Sequence, residues 1–280
     1  MQLADLFESL EPERIETGFQ FTEGPVWHPE GYLLFSDIPA DTIYRVSADH
    51  TITPWRQPSG NANGLTLDRQ GRLVACEHGN RRVSLTMPDG EVRPLATHYD
   101  GKRLNSPNDV VVRSDGSIYF TDPPYGVQEE ARELPFNGVY RISPQGAIEL
   151  WVDDFDRPNG LAFSPNEAVL YVDDTVRRHI RAFDVGADGG LSNGRIWADM
   201  DSPDAGGPDG MKVDREGNVY CTGPGGLWVF TPGAECVGVI RGPEQPANLA
   251  FGGANLNTLY ITARTSLYTL RTKLPGMPVL

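Results

Sequence analysis

One short phrase recurs six times along this chain, and no other feature narrows its folding as far. Each copy puts a polar residue ahead of an apolar run, then a turn, then a second apolar run. The copies begin Glu23-Gly-Pro-Val-Trp, Asn63-Gly-Leu-Thr-Leu, Asn108-Asp-Val-Val-Val, Asn159-Gly-Leu-Ala-Phe, Asp209-Gly-Met-Lys-Val and Asn248-Leu-Ala-Phe. Successive leads lie 39 to 51 residues apart, about the length of a four-stranded propeller blade with short turns. Eight residues past the lead stand Gly31, Gly71, Gly116 and Gly217, with Glu167 in the fourth copy. Glycine there suits tight turns that need a positive φ. The runs that follow, such as Ser117-Ile-Tyr-Phe and Val169-Leu-Tyr-Val, are β-branched and aromatic and too short for helices.

Third and fourth strands are also legible, as in Thr42-Ile-Tyr-Arg-Val and Ala147-Ile-Glu-Leu-Trp-Val. The sixth copy lacks a fourth run, and Arg14-Ile-Glu-Thr-Gly-Phe near the start can supply it. These patterns predict an all-β, six-bladed β-propeller closed by the N-terminal strand in the last blade. A β-sandwich with chance similarity between copies is the alternative. Residues 1–280 are expected to form one domain, with a short helix at Asp5–Leu10, within residues 1–12, outside the ring. Trp27, Trp151, Trp197 and Trp228 fall in strand patterns and are expected to pack between strands.

A propeller turns sequence repetition into spatial convergence. The first strand of each blade lines the channel, so the lead residues meet at one mouth. Glu23, Asn63, Asn108, Asn159, Asp209 and Asn248 offer a cation nothing but oxygen. Ca²⁺ takes about six to eight oxygens at ~2.3–2.6 Å, and Mg²⁺, Mn²⁺ or an open Zn²⁺ site stay within reach of the set. The five histidines show no HExxH spacing. The plainer alternative is that the leads cap strands, as Asn and Asp commonly do. Fourteen residues past the leads stand Asp37, Glu77, Asp122, Asp173 and Gly223. With His78 and Tyr125 nearby they form a second ring that can bind sugar hydroxyls or, equally, cap strand ends.

Net charge is −14, which disfavours nucleic acid and anionic membranes as partners and fits solubility. Cys76, Cys221 and Cys236 are odd in number and lack framework spacing, which points to reduced thiols and a cytoplasmic location. The first ten residues have no basic region and carry Asp5 and Glu8, unlike a signal peptide. No run approaches ~18 apolar residues, so no transmembrane helix is expected. Nucleophile-elbow, Walker and GxGxxG motifs are missing.

Five segments carry a resemblance: Phe21-Thr-Glu-Gly-Pro-Val-Trp, Arg103-Leu-Asn-Ser-Pro-Asn-Asp-Val, Phe120-Thr-Asp-Pro-Pro-Tyr-Gly, Arg157-Pro-Asn-Gly-Leu-Ala-Phe-Ser-Pro and Gly207-Pro-Asp-Gly-Met. In this order they resemble the SMP-30/gluconolactonase/LRE-like family, and in motif its bacterial gluconolactonases, over roughly Ile15 to Leu270. The resemblance implies a six-bladed propeller with one divalent cation, and hydrolysis of sugar lactones or other lactones. It implies Glu23, Asn159 and Asp209 as metal ligands and Asn108 as a fourth polar partner, touching metal or substrate. It places Arg103 near substrate. Ser106-Pro107 lengthens that segment, so Asn105 and Asn108 both stand as substrate contacts, together with Asp122 and Tyr125. The expected function is a divalent-metal-dependent lactone hydrolase, a gluconolactonase or related sugar lactonase, using Ca²⁺ or else Zn²⁺, Mg²⁺ or Mn²⁺. Asp209 is the expected general base, with Asp109 second because its side chain should alternate away from that of Asn108. A phosphotriesterase-like hydrolase on the same site and a non-enzymatic binding propeller are the alternatives. The expected partner is a small lactone, and the expected state a monomer or small homo-oligomer.

Overall fold

Turn chemistry sets the first level of the structure. Gly31, Gly71, Gly116 and Gly217 all turn at φ between +76° and +89°, where a Cβ is costly. Each joins the first two strands of a blade. Repeated round the chain, these hairpins build the computed structural model, which describes residues 1–279 as six four-stranded antiparallel sheets and one two-stranded ribbon. It is a six-bladed β-propeller.

The first blade runs through Thr22–His28, Tyr32–Asp37, Thr42–Val46 and Ile52–Arg56. The second uses Ala62–Leu67, Leu73–Glu77, Arg82–Thr86 and Val92–Ala96. The third uses Val110–Val112, Ile118–Asp122, Asn137–Ile142 and Ile148–Phe155, after the ribbon His98–Tyr99 with Lys102–Arg103. Pro158–Phe163, Val169–Asp174, His179–Val185 and Leu191–Asp199 form the fourth, and Met211–Val213, Val219–Gly223, Gly226–Phe230 and Cys236–Ile240 the fifth. The sixth comprises Asn248–Gly252, Thr258–Ala263 and Ser266–Arg271, with Glu13–Thr17 paired antiparallel to Ser266–Arg271 as its outer strand. Neighbouring innermost strands touch all the way round, including Thr22–His28 against Asn248–Gly252.

A propeller buries its apolar faces between blades, and six clusters do so here. Val26, Leu65 and Ala75 join blades one and two. Phe120 and Tyr140 meet Val74 and Val83 across the next junction, and Tyr119 and Val139 meet Leu161 and Phe183 across the third. Leu33 and Phe35 pack on Ala250 and Leu267 where the ring closes. Each such side chain contributes about 1.5–3 kcal/mol by leaving water. Three of the four expected tryptophans belong to this packing: Trp27 stacks on Tyr260 with centroids 5.5 Å apart, and Trp197 and Trp228 flank Phe230. Trp151 lies outside the clusters and donates to Glu149 Oε2 at 3.3 Å.

The N-terminal helix is shorter and earlier than its sequence suggests, covering Leu3–Leu6. Four residues cannot sustain a helix alone. It is held because Leu6 and the following Phe7 are buried in the cluster between blades five and six, with Phe7 edge-on to Tyr220. Among the described residues, no helix is long and apolar enough to cross a membrane.

Candidate functional site

Each lead residue stands at, or within two positions of, the start of an innermost strand, and its side chain is directed into the mouth of the channel. The residue after it explains how they come so close. A Cβ on Gly24 would lie 1.9 Å from Asn63 O, and one on Gly160 would lie 2.0 Å from Asp209 O. One on Gly64 would meet Asn108 O at 2.6 Å, and one on Gly210 would meet the Asn248 side chain at 2.1 Å. The glycine of each Asn-Gly, Glu-Gly or Asp-Gly pair therefore admits the backbone or side chain of the next blade's lead residue. It is required by that close approach more than by a turn.

The amides form a chain across three blades. Asn63 Nδ2 donates to Asn108 Oδ1 at 2.7 Å, and Asn108 Nδ2 donates to Asn159 Oδ1. His78 Nε2 lies 3.2 Å from Asn108 Oδ1 and 3.3 Å from Asn63 Nδ2. Burial pushes the His78 imidazole down to about 4, so it stands neutral. Asn159 Nδ2 reaches Thr175 Oγ1 at 3.1 Å and Tyr125 OH at 3.3 Å. Tyr125 donates to Thr175 Oγ1 at 3.1 Å, its ring covered by the Arg157 guanidinium at 5.1 Å.

The acids lie on the other side. Glu23 is 3% exposed. Its Oε2 accepts from Gly24 N at 2.6 Å and Asn248 Nδ2 at 3.0 Å. Burial pushes Glu23 up to about 7, and the nearby Asp109 adds to that. Asp209 keeps some exposure at the rim. Burial, then repulsion from Glu23, Asp173 and Asp109, lifts its carboxyl well above the usual range. Asp109 is not turned away from this group. Residues 108 and 109 precede the regular strand, which begins at Val110, so pleat alternation does not govern them. Asp109 stands where four other copies have glycine, and accepts from Val110 N at 2.8 Å and Asn248 Nδ2 at 3.4 Å.

The donor set suits a hard divalent cation. Two of the four candidate ligands, Glu23 and Asp209, are carboxylates, and Asn108 and Asn159 add amide oxygens. Among the described residues, no group of three His, Cys, Asp or Glu is arranged to hold a metal. Any cation here must therefore be held partly by amides. Two desolvated carboxyls that repel each other form a place where positive charge is favoured.

Of the other predicted substrate contacts, Tyr125 alone reaches the lead residues, through Asn159. Asp122 is fully buried, and its oxygens accept from Asn105 N and Ser106 N, each at 2.7 Å. Asn105 is also buried and donates to Asp122 O at 3.1 Å and Phe136 O at 2.9 Å. Arg103 belongs to the outer ribbon, where its guanidinium donates to Asn80 O at 3.1 Å. Tyr125 is 41% exposed at the rim. In the second ring, Asp37 accepts from Gln20 N and Phe21 N at 3.0 Å, and Glu77 binds Arg56, Arg82, Asn80 and Ser84. In the fourth blade the count of fourteen misses by one, because the hairpin around Glu167 is a residue longer. Asp174, paired with Pro158, takes that place and accepts from Asp156 N at 2.8 Å. Asp173 instead stands one step inward and fully buried.

Sequence reasoning missed two residues. Thr175 accepts from Asn159 and Tyr125 and donates to Pro208 O at 2.8 Å. Lys212 donates to Met211 O at 2.9 Å and Asn248 Oδ1 at 3.5 Å. Thr175 left no signal in the repeat. Lys212 did, as a lone cation inside an innermost strand.

Residues 21–265 match the family model described as the SMP-30/Gluconolactonase/LRE-like region. The chain is 35% identical to a gluconolactonase of Zymomonas mobilis, over 94% of this chain and 82% of that protein. A solved gluconolactonase from Xanthomonas campestris superposes with a TM-score of 0.88 at 35% identity, covering 96% of this chain and 92% of the other. The calcium-binding protein regucalcin from Agrobacterium tumefaciens shares the fold at a TM-score of 0.81, over 95% of both chains, with 18% identity.

Proposed function

We propose a function from one premise: the chain belongs to the SMP-30/Gluconolactonase/LRE-like family. It is a lactone hydrolase. Its substrate is an aldonolactone such as gluconolactone, and its cofactor is a divalent cation, Ca²⁺ by preference, at the polar mouth of the channel. The observation that carries this reading is the pairing of a buried Glu23 with a partly exposed Asp209 whose carboxyl it repels, beside the joined amides of Asn108 and Asn159. Two carboxyls desolvated at one place carry a cost that a bound cation offsets.

Glu23, Asp209, Asn108 and Asn159 are the residues that would hold the ion. When bound, it supplies Lewis acidity to the lactone carbonyl and offsets charge developing on that oxygen. Asp209 serves as general base, taking the proton of the attacking water at a carboxylate oxygen. Burial and repulsion raise its proton affinity in the ion-free channel, and a bound cation would lower it again, so its strength as a base is set by the balance of the two. Tyr125 and Thr175, with hydroxyls at the rim 3.1 Å apart, bind substrate hydroxyls.

The test is acid release in a pH-stat, with aldonolactones and paraoxon as rival substrates, with and without Ca²⁺. Aldonolactone turnover that depends on the ion is expected, and turnover of paraoxon alone would overturn the substrate. Asp209→Asn should lower kcat by about 10²–10⁴-fold with an unchanged far-UV spectrum. Undiminished activity in that variant removes Asp209 from the role of base.

A further inference from the structure

Below the carboxyls the channel holds one ammonium that the mechanism above does not use. Lys212 lies on the innermost strand Met211–Val213. It donates to Asn248 Oδ1 at 3.5 Å, and the same oxygen accepts from Leu249 N at 2.8 Å. With its oxygen so engaged, the Asn248 amide must turn its hydrogens the other way, toward Glu23 Oε2 at 3.0 Å and Asp109 Oδ2 at 3.4 Å. The sixth lead residue is thereby a donor to the acids and not an oxygen ligand. Lys212 makes no ion pair within 4.0 Å among the described residues, yet its charge attracts both Glu23 and Asp109. It also lines a cavity of about 150 Å³ with Val26, Leu65, Val111, Ala162 and Phe251, whose one carboxylate, Glu167, is engaged by Ser114 and Arg113 and makes no ion pair with Lys212.

We propose that Lys212 is a built-in counter-cation: it holds the carboxyls of the channel together when no divalent ion is bound, and it competes with that ion for them. The proposal rests on the reading of the mouth as an ion site. A positive charge beneath such a site repels the incoming cation across a poorly solvated gap, where charges act strongly. It also removes part of the repulsion that the acids would otherwise exert on one another. The lysine thus trades ion affinity for a channel that stays folded without the ion.

The experiment compares wild type, Lys212→Met, Lys212→Gln and Lys212→Arg. Calorimetric titration of Ca²⁺ into chelator-treated protein, in mildly alkaline buffer, reads affinity, and melting in excess chelator reads the ion-free channel. In Lys212→Met the Ca²⁺ Kd should fall roughly tenfold, as removal of a nearby like charge requires. The ion-free melting temperature should fall as well. Lys212→Arg should restore both, while Lys212→Gln, which can still donate to Asn248, should behave like the Met variant. Weaker binding in Lys212→Met, or rescue by Gln, would show that the side chain acts through its hydrogen bond and overturn the counter-charge. If wild type binds no divalent ion, the ion-site reading fails. The ion-free melting series then still decides the counter-charge, which an unchanged melting temperature in Lys212→Met overturns.

Discussion

Two rings of polar residues stand about one strand apart in this propeller, and they are built in opposite ways. The strand-end acids Asp37, Glu77, Asp122 and Asp174 each bind backbone or side chains close to their own blade. The lead residues bond to one another across blades, from Asn63 through Asn108 to Asn159 and from Asn248 to Glu23. The ring of strand-end acids is satisfied and closed. The ring of lead residues keeps unmet charge: burial alone pushes Asp122 up to about 7, whereas Glu23 and Asp209 are raised by burial and by repulsion from neighbouring carboxyls as well. Residue type alone does not separate a capping acid from a functional one. What separates them is whether the local backbone has already used the oxygens.

The strongest way to break this contrast is to remove an acid from the satisfied ring. Glu77 is fully buried between Arg56 at 3.0 Å and Arg82 at 2.6 Å. Glu77→Ala strands two guanidiniums and should cost about 3–5 kcal/mol in urea unfolding, while leaving the Ca²⁺ affinity of the folded protein unchanged. A fall in affinity with little loss of stability would mean that the rings are not separate.

The opposite sign is expected from the unsatisfied ring. Glu23→Gln replaces a desolvated carboxyl, pushed up to about 7, by a neutral amide that can still meet Gly24 N. The charged form is the one that burial disfavours, so the ion-free protein should gain about 1–3 kcal/mol above neutral pH. The same variant should lose the ion-induced rise in melting temperature that mass action gives wild type. Chelator should then lower the melting temperature of wild type and leave Glu23→Gln unmoved. A destabilised ion-free variant would place Glu23 among the structural acids.

The sequence carried the ring of blades openly, because each blade repeats the same alternation and its turn glycines at Gly31, Gly71, Gly116 and Gly217 are local requirements. It also carried the lead residues, whose convergence follows from the repeat. It hid what depends on hairpin length and on neighbours from other blades. Asp173 and Asp174 exchange places because one turn is a residue longer. Asp109 turns inward because it precedes the regular strand. Asn105 and Asp122 stand in two conspicuous motifs but spend their polar groups on each other, capping the loop that leads into Asn108. Lys212 and Thr175 matter through partners from other blades, Asn248 and Tyr125, and no periodicity announces such partners.

The smallest effect expected is at the rim, where the ring of lead residues gives way to solvent. Tyr125 is 41% exposed and shares its hydroxyl with Thr175 and Asn159, under the Arg157 guanidinium. Tyr125→Phe keeps the ring and the stacking and removes one hydroxyl, worth about 0.5–1.5 kcal/mol at most. Because water can replace that partner at an exposed rim, stability should hold within about 0.5 kcal/mol. If the hydroxyl binds substrate, KM for the lactone should rise by a few-fold with kcat kept, the signature of lost uniform binding. A fall in kcat at unchanged KM would instead tie Tyr125 to the transition state through Asn159, and would extend the functional ring outward by one layer.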